Sequence, residues 1–178
     1  MKKKGKREES DFQMTIKQSV DNFNRLNPMF NEVGYRKFSD GKKIDQKTGR
    51  TYYSSMGYDC EFLFFPKNLI CLELKMNKDT VSTMNMKSLF SDREHEMHKL
   101  IERKSQGFQS LVLVNHYILK SNIDDVYIFT PELCLEVFHG KGSLKIKDLQ
   151  DIPMLERIYD PLYKRYVYDI EPLLFFKQ

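Results

Sequence analysis

Asp59, Glu73 and Lys75 are the residues of this chain whose types and spacing can do chemistry together. Glu73 and Lys75 lie two apart in the run Leu69 to Met76, which is rich in strand-forming residues. Side chains alternate faces along a strand, so these two share a face. Asp59 opens a second run of the same kind, Asp59 to Phe65, joined to the first by Pro66-Lys67-Asn68. A hairpin centred on Lys67 sets Asp59 opposite Lys75 and Glu61 opposite Glu73, which brings Asp59 and Glu61 to the same face. A one-residue slip of the register would carry both away.

Two carboxylates and a lysine facing one way from the middle of apolar strands must shift their pKa values, pair with cations or hold a metal. Magnesium suits such a set, with manganese as a substitute, because it takes hard oxygen ligands and keeps waters and phosphate oxygens in its shell. Asp59 and Glu73 are the expected direct ligands, with the backbone carbonyl of Leu74 as a further oxygen and Glu61 as a reserve carboxylate. Lys75 would orient an attacking water or balance charge on a phosphoryl group. The plainer reading of Glu73-Leu74-Lys75 is a pair of charges on a solvated sheet face.

The elements that must position these residues fit into one domain of the 178-residue chain. Apolar residues make up 40% of it in short runs, which favours a globular α/β or α+β fold, and none of the runs approaches a membrane span. The lysine-rich start has no apolar core such as a signal peptide carries, so a cytoplasmic protein is expected. Cys60, Cys71 and Cys134 are odd in number, widely spaced and set among apolar neighbours, which predicts buried free thiols.

Residues 1–9 read as a flexible basic tail and 10–178 as the single domain, with a basic excursion at about 31–56. Ser10 and Gln13 fit a capping box, and Phe12, Ile16, Val20 and Phe23 predict a helix from about Asp11 to Arg25. The excursion is either a long loop or a set of weak hairpins. Ser91 and Glu94 fit a second capping box for a helix running to about Ser105, with Gly107 as its C-terminal cap. Strands are expected over Phe108 to His116 and Val126 to Thr130, with a turn at Asn122 to Asp125. Leu133 to Phe138 is a short helix or strand, and the tyrosine-rich end, Tyr159 to Phe176, is expected partly as helix over the sheet.

The formal charge is +4, unevenly placed. Lys2, Lys3, Lys4, Lys6 and Arg7 crowd the start, and Arg36, Lys37, Lys42, Lys43, Lys47 and Arg50 outnumber Asp40 and Asp45 in the excursion. Such clusters can neutralise phosphates, or simply solubilise a tail and a loop.

The order Gly57-Tyr58-Asp59, Leu72-Glu73-Leu74-Lys75, the helix around His95-Glu96, then Gly107 and an apolar strand resembles the RecU family of Holliday-junction resolvases, from about residue 8 to residue 138. The resemblance implies a PD-(D/E)xK nuclease fold with a central mixed sheet flanked by helices. It further implies a homodimer, dependence on magnesium or manganese, and symmetric cutting of four-way DNA junctions. The family's metal-binding aspartate falls on Asp59, its acidic motif residue on Glu73 and its motif lysine on Lys75. Where the family commonly has a His-Gln pair, this chain has His95-Glu96, which makes Glu96 an extra metal or water contact or else a helix-surface residue. Where the family has a glutamate after an early aromatic, this chain has Phe12-Gln13, and glutamine brings an acceptor without charge. Within the resemblance the basic segment contacts the phosphate backbone of a junction arm. The rival readings are another nuclease of the same fold, exonuclease or restriction-like, a non-catalytic DNA-binding protein, and a structural protein assembled through its aromatic end.

Overall fold

The computed structural model describes residues 4–30, 32–38, 41–44, 51–54, 58–64, 68–78 and 82–176; for 4–9, 41–44, 51–54, 64, 68 and 119 only the backbone is described. The first helix, α1, spans Lys4–Leu26. Its stripe of Phe12, Ile16, Val20 and Phe23 is buried as the helical spacing requires. The helix takes in residues 4–9, the stretch expected as a flexible tail. Lysine, arginine and glutamate are good helix formers and Gly5 falls only in the first turn, so the helix does not stop at Asp11. Ser10 and Gln13 are therefore interior positions, and the expected capping box is not the helix start.

The described residues of the basic excursion are mostly strand. Strand β1 (Val33–Lys37) is followed by the hairpin of β2 (Gly41–Ile44) and β3 (Thr51–Ser54). Then come β4 (Cys60–Phe64), β5 (Asn68–Asn77) and the short β6 (Thr83–Met84). Helix α2 (Met86–Phe90) is capped by Asn85, whose side chain accepts from the Ser88 N–H. Helix α3 (Glu94–Ser105) follows after a break, so Ser91 ends α2 instead of capping a longer helix. Next are β7 (Gln109–Ile118), β8 (Ile123–Phe129) and helix α4 (Pro131–His139), where the Thr130 hydroxyl accepts from the Leu133 N–H. The turn into β8 comes earlier than expected, at Asn122 with a positive φ, a conformation asparagine tolerates. Short strands β9 (Leu144–Lys145) and β10 (Met154–Leu155) precede the hairpin of β11 (Arg157–Asp160) and β12 (Arg165–Tyr168) and helix α5 (Glu171–Leu174).

The main sheet has the order β1-β4-β5-β7-β8-β10. All neighbours are antiparallel except β5 and β7, whose crossover carries α2 and α3. On one face, Ile70, Leu72, Leu74, Leu111 and Leu113 meet the α1 stripe and the C-terminal residues Tyr168, Ile170, Leu173 and Leu174. On the other, Cys71, Val112 and Val114 meet Met86, Phe90, Met97, Leu100 and Cys134 from α2, α3 and α4. The sheet is thus covered by helices on both sides. The three cysteines are free and buried.

The tyrosine-rich end is mainly a hairpin and only briefly a helix. It is tied to α1: the Tyr168 N–H donates to Ser19 Oγ (2.9 Å), Arg165 donates to Thr15 Oγ1 (2.9 Å), and Arg25 pairs with the buried Asp160 (2.7 Å). No helix among the described residues is long and apolar enough to cross a membrane.

Gly107 closes α3 with φ +89°; its N–H donates to the Lys104 carbonyl, and Phe108 reaches back to Arg103. Among the described residues, apart from its own chain neighbours, no heavy atom lies within 4 Å of the place a Cβ would take, so a side chain costs chiefly backbone strain. Gly107→Ala is expected to lose about 1–2 kcal/mol of stability, read by urea unfolding. An unchanged midpoint would remove that role for the left-handed conformation.

Candidate functional site

The hairpin of β4 and β5 pairs Cys60 with Leu72 and Glu61 with Cys71. The expected centre on Lys67 is therefore off: the partners move two residues along β5, and Glu61 does not stand opposite Glu73. A shift of two keeps every side chain on its face, since the period of a strand is two. Glu61, Glu73 and Lys75 consequently share the face that packs against α2 and α3. Asp59 lies in the bend just before β4, where its own N–H donates to the Leu72 carbonyl (3.0 Å).

Past the end of β4, the Asp59 side chain takes the place of a strand neighbour. Its Oδ2 accepts from the Leu74 N–H (2.8 Å), and its Oδ1 accepts from Gln13 Nε2 of α1 (3.3 Å). Two donors from two elements hold both carboxylate oxygens in place. The Leu74 carbonyl faces the same edge as the Leu74 N–H, because both main-chain groups of a strand residue are offered to the same neighbour.

Glu73 and Lys75 are nearly closed to solvent, at 2% and 4% exposure. The Lys75 ammonium donates to Glu73 Oε1 and to Glu96 Oε2 (2.7 Å), the latter from α3, and lies 5.6 Å from the centre of the Phe90 ring. Burial drives the Glu73 carboxyl well above the ordinary range, and the Asp59 charge adds to that, against the pull of Lys75. Burial works against the Lys75 ammonium, but Glu73 and then Glu96 outweigh it and hold its pKa above the ordinary value. Asp59, Glu73 and Glu96 are three carboxylates against the Lys75 ammonium and the Arg93 guanidinium, whose Nη1 lies 3.9 Å from Glu96 Oε1, so an ionised cluster keeps a net negative charge.

That imbalance, and a donor set of hard oxygens, fit a divalent cation such as magnesium. Among the described residues no group of three or more His, Cys, Asp or Glu side chains is arranged to hold a metal ion. A cation here would draw on Asp59, Glu73, the Leu74 carbonyl and oxygens of water or substrate, as magnesium commonly does.

Of the expected residues, the structure gathers Asp59, Glu73, Lys75, Glu96 and Gln13. Glu61 is one diagonal step from Glu73 on the same face, and its Oε1 accepts from the Tyr58 hydroxyl. His95 is exposed, and Glu9 stands one helical turn before Gln13. Arg36 and Lys37 are exposed on β1 and Lys42 and Lys43 lie in β2; Lys4, Lys6 and Arg7 are in the first turns of α1. Lys2, Lys3, Lys47 and Arg50 fall outside the described residues. Tyr58 and Arg103 are the site neighbours that sequence reading missed: the Arg103 guanidinium lies 6.0 Å from the Tyr58 ring centre. The signal was there, since Arg103 follows Glu96 by two helical turns and so shares its face.

No model of a known protein family matches the chain, and no curated protein matches it.

The two buried partners should respond to substitution with opposite signs in EDTA. A raised carboxyl pKa in the folded state means that folding loses stability as the pH rises through and above the ordinary carboxylate range. Glu73→Gln removes that burden and is expected to stabilise the fold by about 1 kcal/mol at pH 8, with little gain at pH 4. Lys75→Met leaves the carboxylates unbalanced and is expected to cost about 3 kcal/mol. Thermal unfolding of both variants checks this, and a loss of stability in Glu73→Gln at pH 8 would overturn the charge balance described.

Proposed function

We propose that this chain is a magnesium-dependent endodeoxyribonuclease of the PD-(D/E)xK kind, acting on four-way DNA junctions as a homodimer. The observation that carries the reading is the pair of hydrogen-bonded groups that meet at β5, Gln13 and Asp59 on the Leu74 N–H and Glu73, Lys75 and Glu96 beside it, drawn from a bend, a central strand and two helices. The mixed sheet flanked by helices supports it.

In this reading Asp59 and Glu73, with the Leu74 carbonyl, hold the cation. When bound, it would polarise the scissile phosphodiester and make a water more acidic. Gln13 positions Asp59 and leaves its charge intact. Lys75 stands at the inner wall of the site, where its ammonium meets negative charge on the phosphoryl oxygens or holds the attacking water. Glu96 keeps that ammonium charged and aimed. The exposed Arg36 and Lys37, with Lys42 and Lys43 of the adjoining hairpin, supply charge for the backbone of a junction arm. Twofold pairing would present two such sites to opposite strands.

A binding protein without cleavage is the second reading, favoured by the neutral amide of Gln13 beside Asp59 and by the hold of Lys75 on Glu73.

An end-labelled immobile four-way junction, compared with linear duplex of the same sequence in magnesium, manganese or EDTA, separates these. Paired symmetric nicks that need metal and are reduced at least about 100-fold by Asp59→Asn are expected. Equal cutting of both DNAs would keep the nuclease and remove the junction preference. Tight binding with intact DNA under every condition would establish the second reading.

A further inference from the structure

Beside the acidic cluster, on the same sheet face, the side chains change character. Phe38 follows β1, and its N–H donates to the Asp59 carbonyl (2.9 Å), so it is anchored to the bend that carries the candidate ligand. Its ring meets Tyr58 edge to face at 5.4 Å. At one end of this aromatic pair the Arg36 guanidinium lies over Phe38, 5.0 Å from the ring centre; at the other Arg103 lies near Tyr58. Two arginines thus flank two rings.

Neither guanidinium pairs with a carboxylate among the described residues. Arg36 stands directly opposite Glu61 in the register, the position for a cross-strand ion pair, yet Glu61 accepts instead from the Tyr58 hydroxyl. Arg103 donates to the Gln106 side chain (3.1 Å), a neutral partner. The rings hold both planar groups by cation–π attraction, which fixes direction without neutralising charge. A guanidinium so held keeps its fork of donors for an oxyanion.

Placement gives the anion an identity. Glu96, Leu100 and Arg103 form one stripe of α3, so the helix that sets Glu96 on Lys75 also sets Arg103 two turns away, about 10 Å along its axis. The acidic cluster repels a bare anion, whereas a chain of phosphodiesters with one unit at the cluster must place its neighbours alongside. We propose that Arg36 and Arg103 form a phosphate subsite for the sugar–phosphate backbone flanking the reacting unit of a DNA strand, with Phe38 and Tyr58 as the platform that orients them. This rests on the nuclease reading for the location of the reacting phosphodiester, but its own content is a charge contact. Glu61 has a role in the same account, since by taking the Tyr58 hydroxyl it leaves Arg36 unneutralised.

The test is equilibrium binding of a fluorescent four-way junction and of duplex DNA in EDTA over a range of potassium chloride concentrations. The proteins are wild type, Arg36→Gln/Arg103→Gln and Arg36→Lys/Arg103→Lys, each checked for folding by thermal unfolding. Each phosphate contact contributes close to one unit to the slope of log affinity against log salt. The glutamine pair is expected to make the slope shallower by about 2 and the lysine pair to keep it. An unchanged slope in the glutamine pair overturns the subsite even where metal-dependent cleavage through Asp59 is intact. An equal loss in the lysine pair overturns it as a charge contact, because charge alone survives that exchange. Wild-type protein that binds neither DNA overturns the subsite and leaves the nuclease reading to the cleavage assay in magnesium, whereas the expected slopes without cleavage in any metal keep the subsite and remove the nuclease.

Discussion

Alternation along β5 governs this molecule, because that strand is central and covered on both faces. Its even positions, Ile70, Leu72 and Leu74, enter the core under α1, and its odd positions, Cys71, Glu73 and Lys75, enter the layer under α2 and α3. Such a strand would ordinarily be apolar throughout. Placing a carboxylate and an ammonium at two of its odd positions forces the second layer to answer them, and α3 does so with Glu96. The Phe90 ring lies against Lys75 in the same layer, and Asp59, just before β4, reaches the Leu74 N–H from the edge of the strand.

The charge balance that results works against stability. A buried ion pair is at best neutral for folding, and a surplus carboxylate is a burden unless a cation shares it. Glu73 carries that burden, with burial and Asp59 both acting to neutralise it. Proteins tolerate such local conflicts at sites that bind or react and compensate elsewhere. Here the compensation lies on the opposite face, where α1 is clamped by the C-terminal hairpin through Ser19, Thr15 and the Arg25–Asp160 pair. Gln13 belongs to that same helix, so the clamp also steadies the donor to Asp59.

Local pattern alone determined much of this. The helical stripe of Phe12, Ile16, Val20 and Phe23, the strands around Glu73 and Val112, the glycine stop at Gly107 and the common face of Glu73 and Lys75 are short-range consequences of periodicity and backbone sterics. Helix ends were less legible: α1 runs on through its basic first residues with Gly5 in its first turn, and Ser91 stops one helix where it was expected to begin another. The excursion at 31–56 hid a strand of the main sheet, because Val33–Lys37 is polar on its open side and its membership depends on pairing with β4. Of the aromatic end only the short helix over the sheet was legible, since its tyrosines form a hairpin whose partner, α1, lies at the other end of the chain.

The sequence by itself determined that Glu73 and Lys75 face one way and that Asp59 lies one connector away, since both depend on residue types and a period of two. Only tertiary structure decided the register that puts Glu61 opposite Cys71, and the reach of Gln13 across to Asp59. It likewise decided the choice of Glu96 as the second partner of Lys75 and the flanking of Phe38 and Tyr58 by arginines. These are contacts between elements far apart in the chain, and their geometry is set by how the layers pack, which no local pattern encodes.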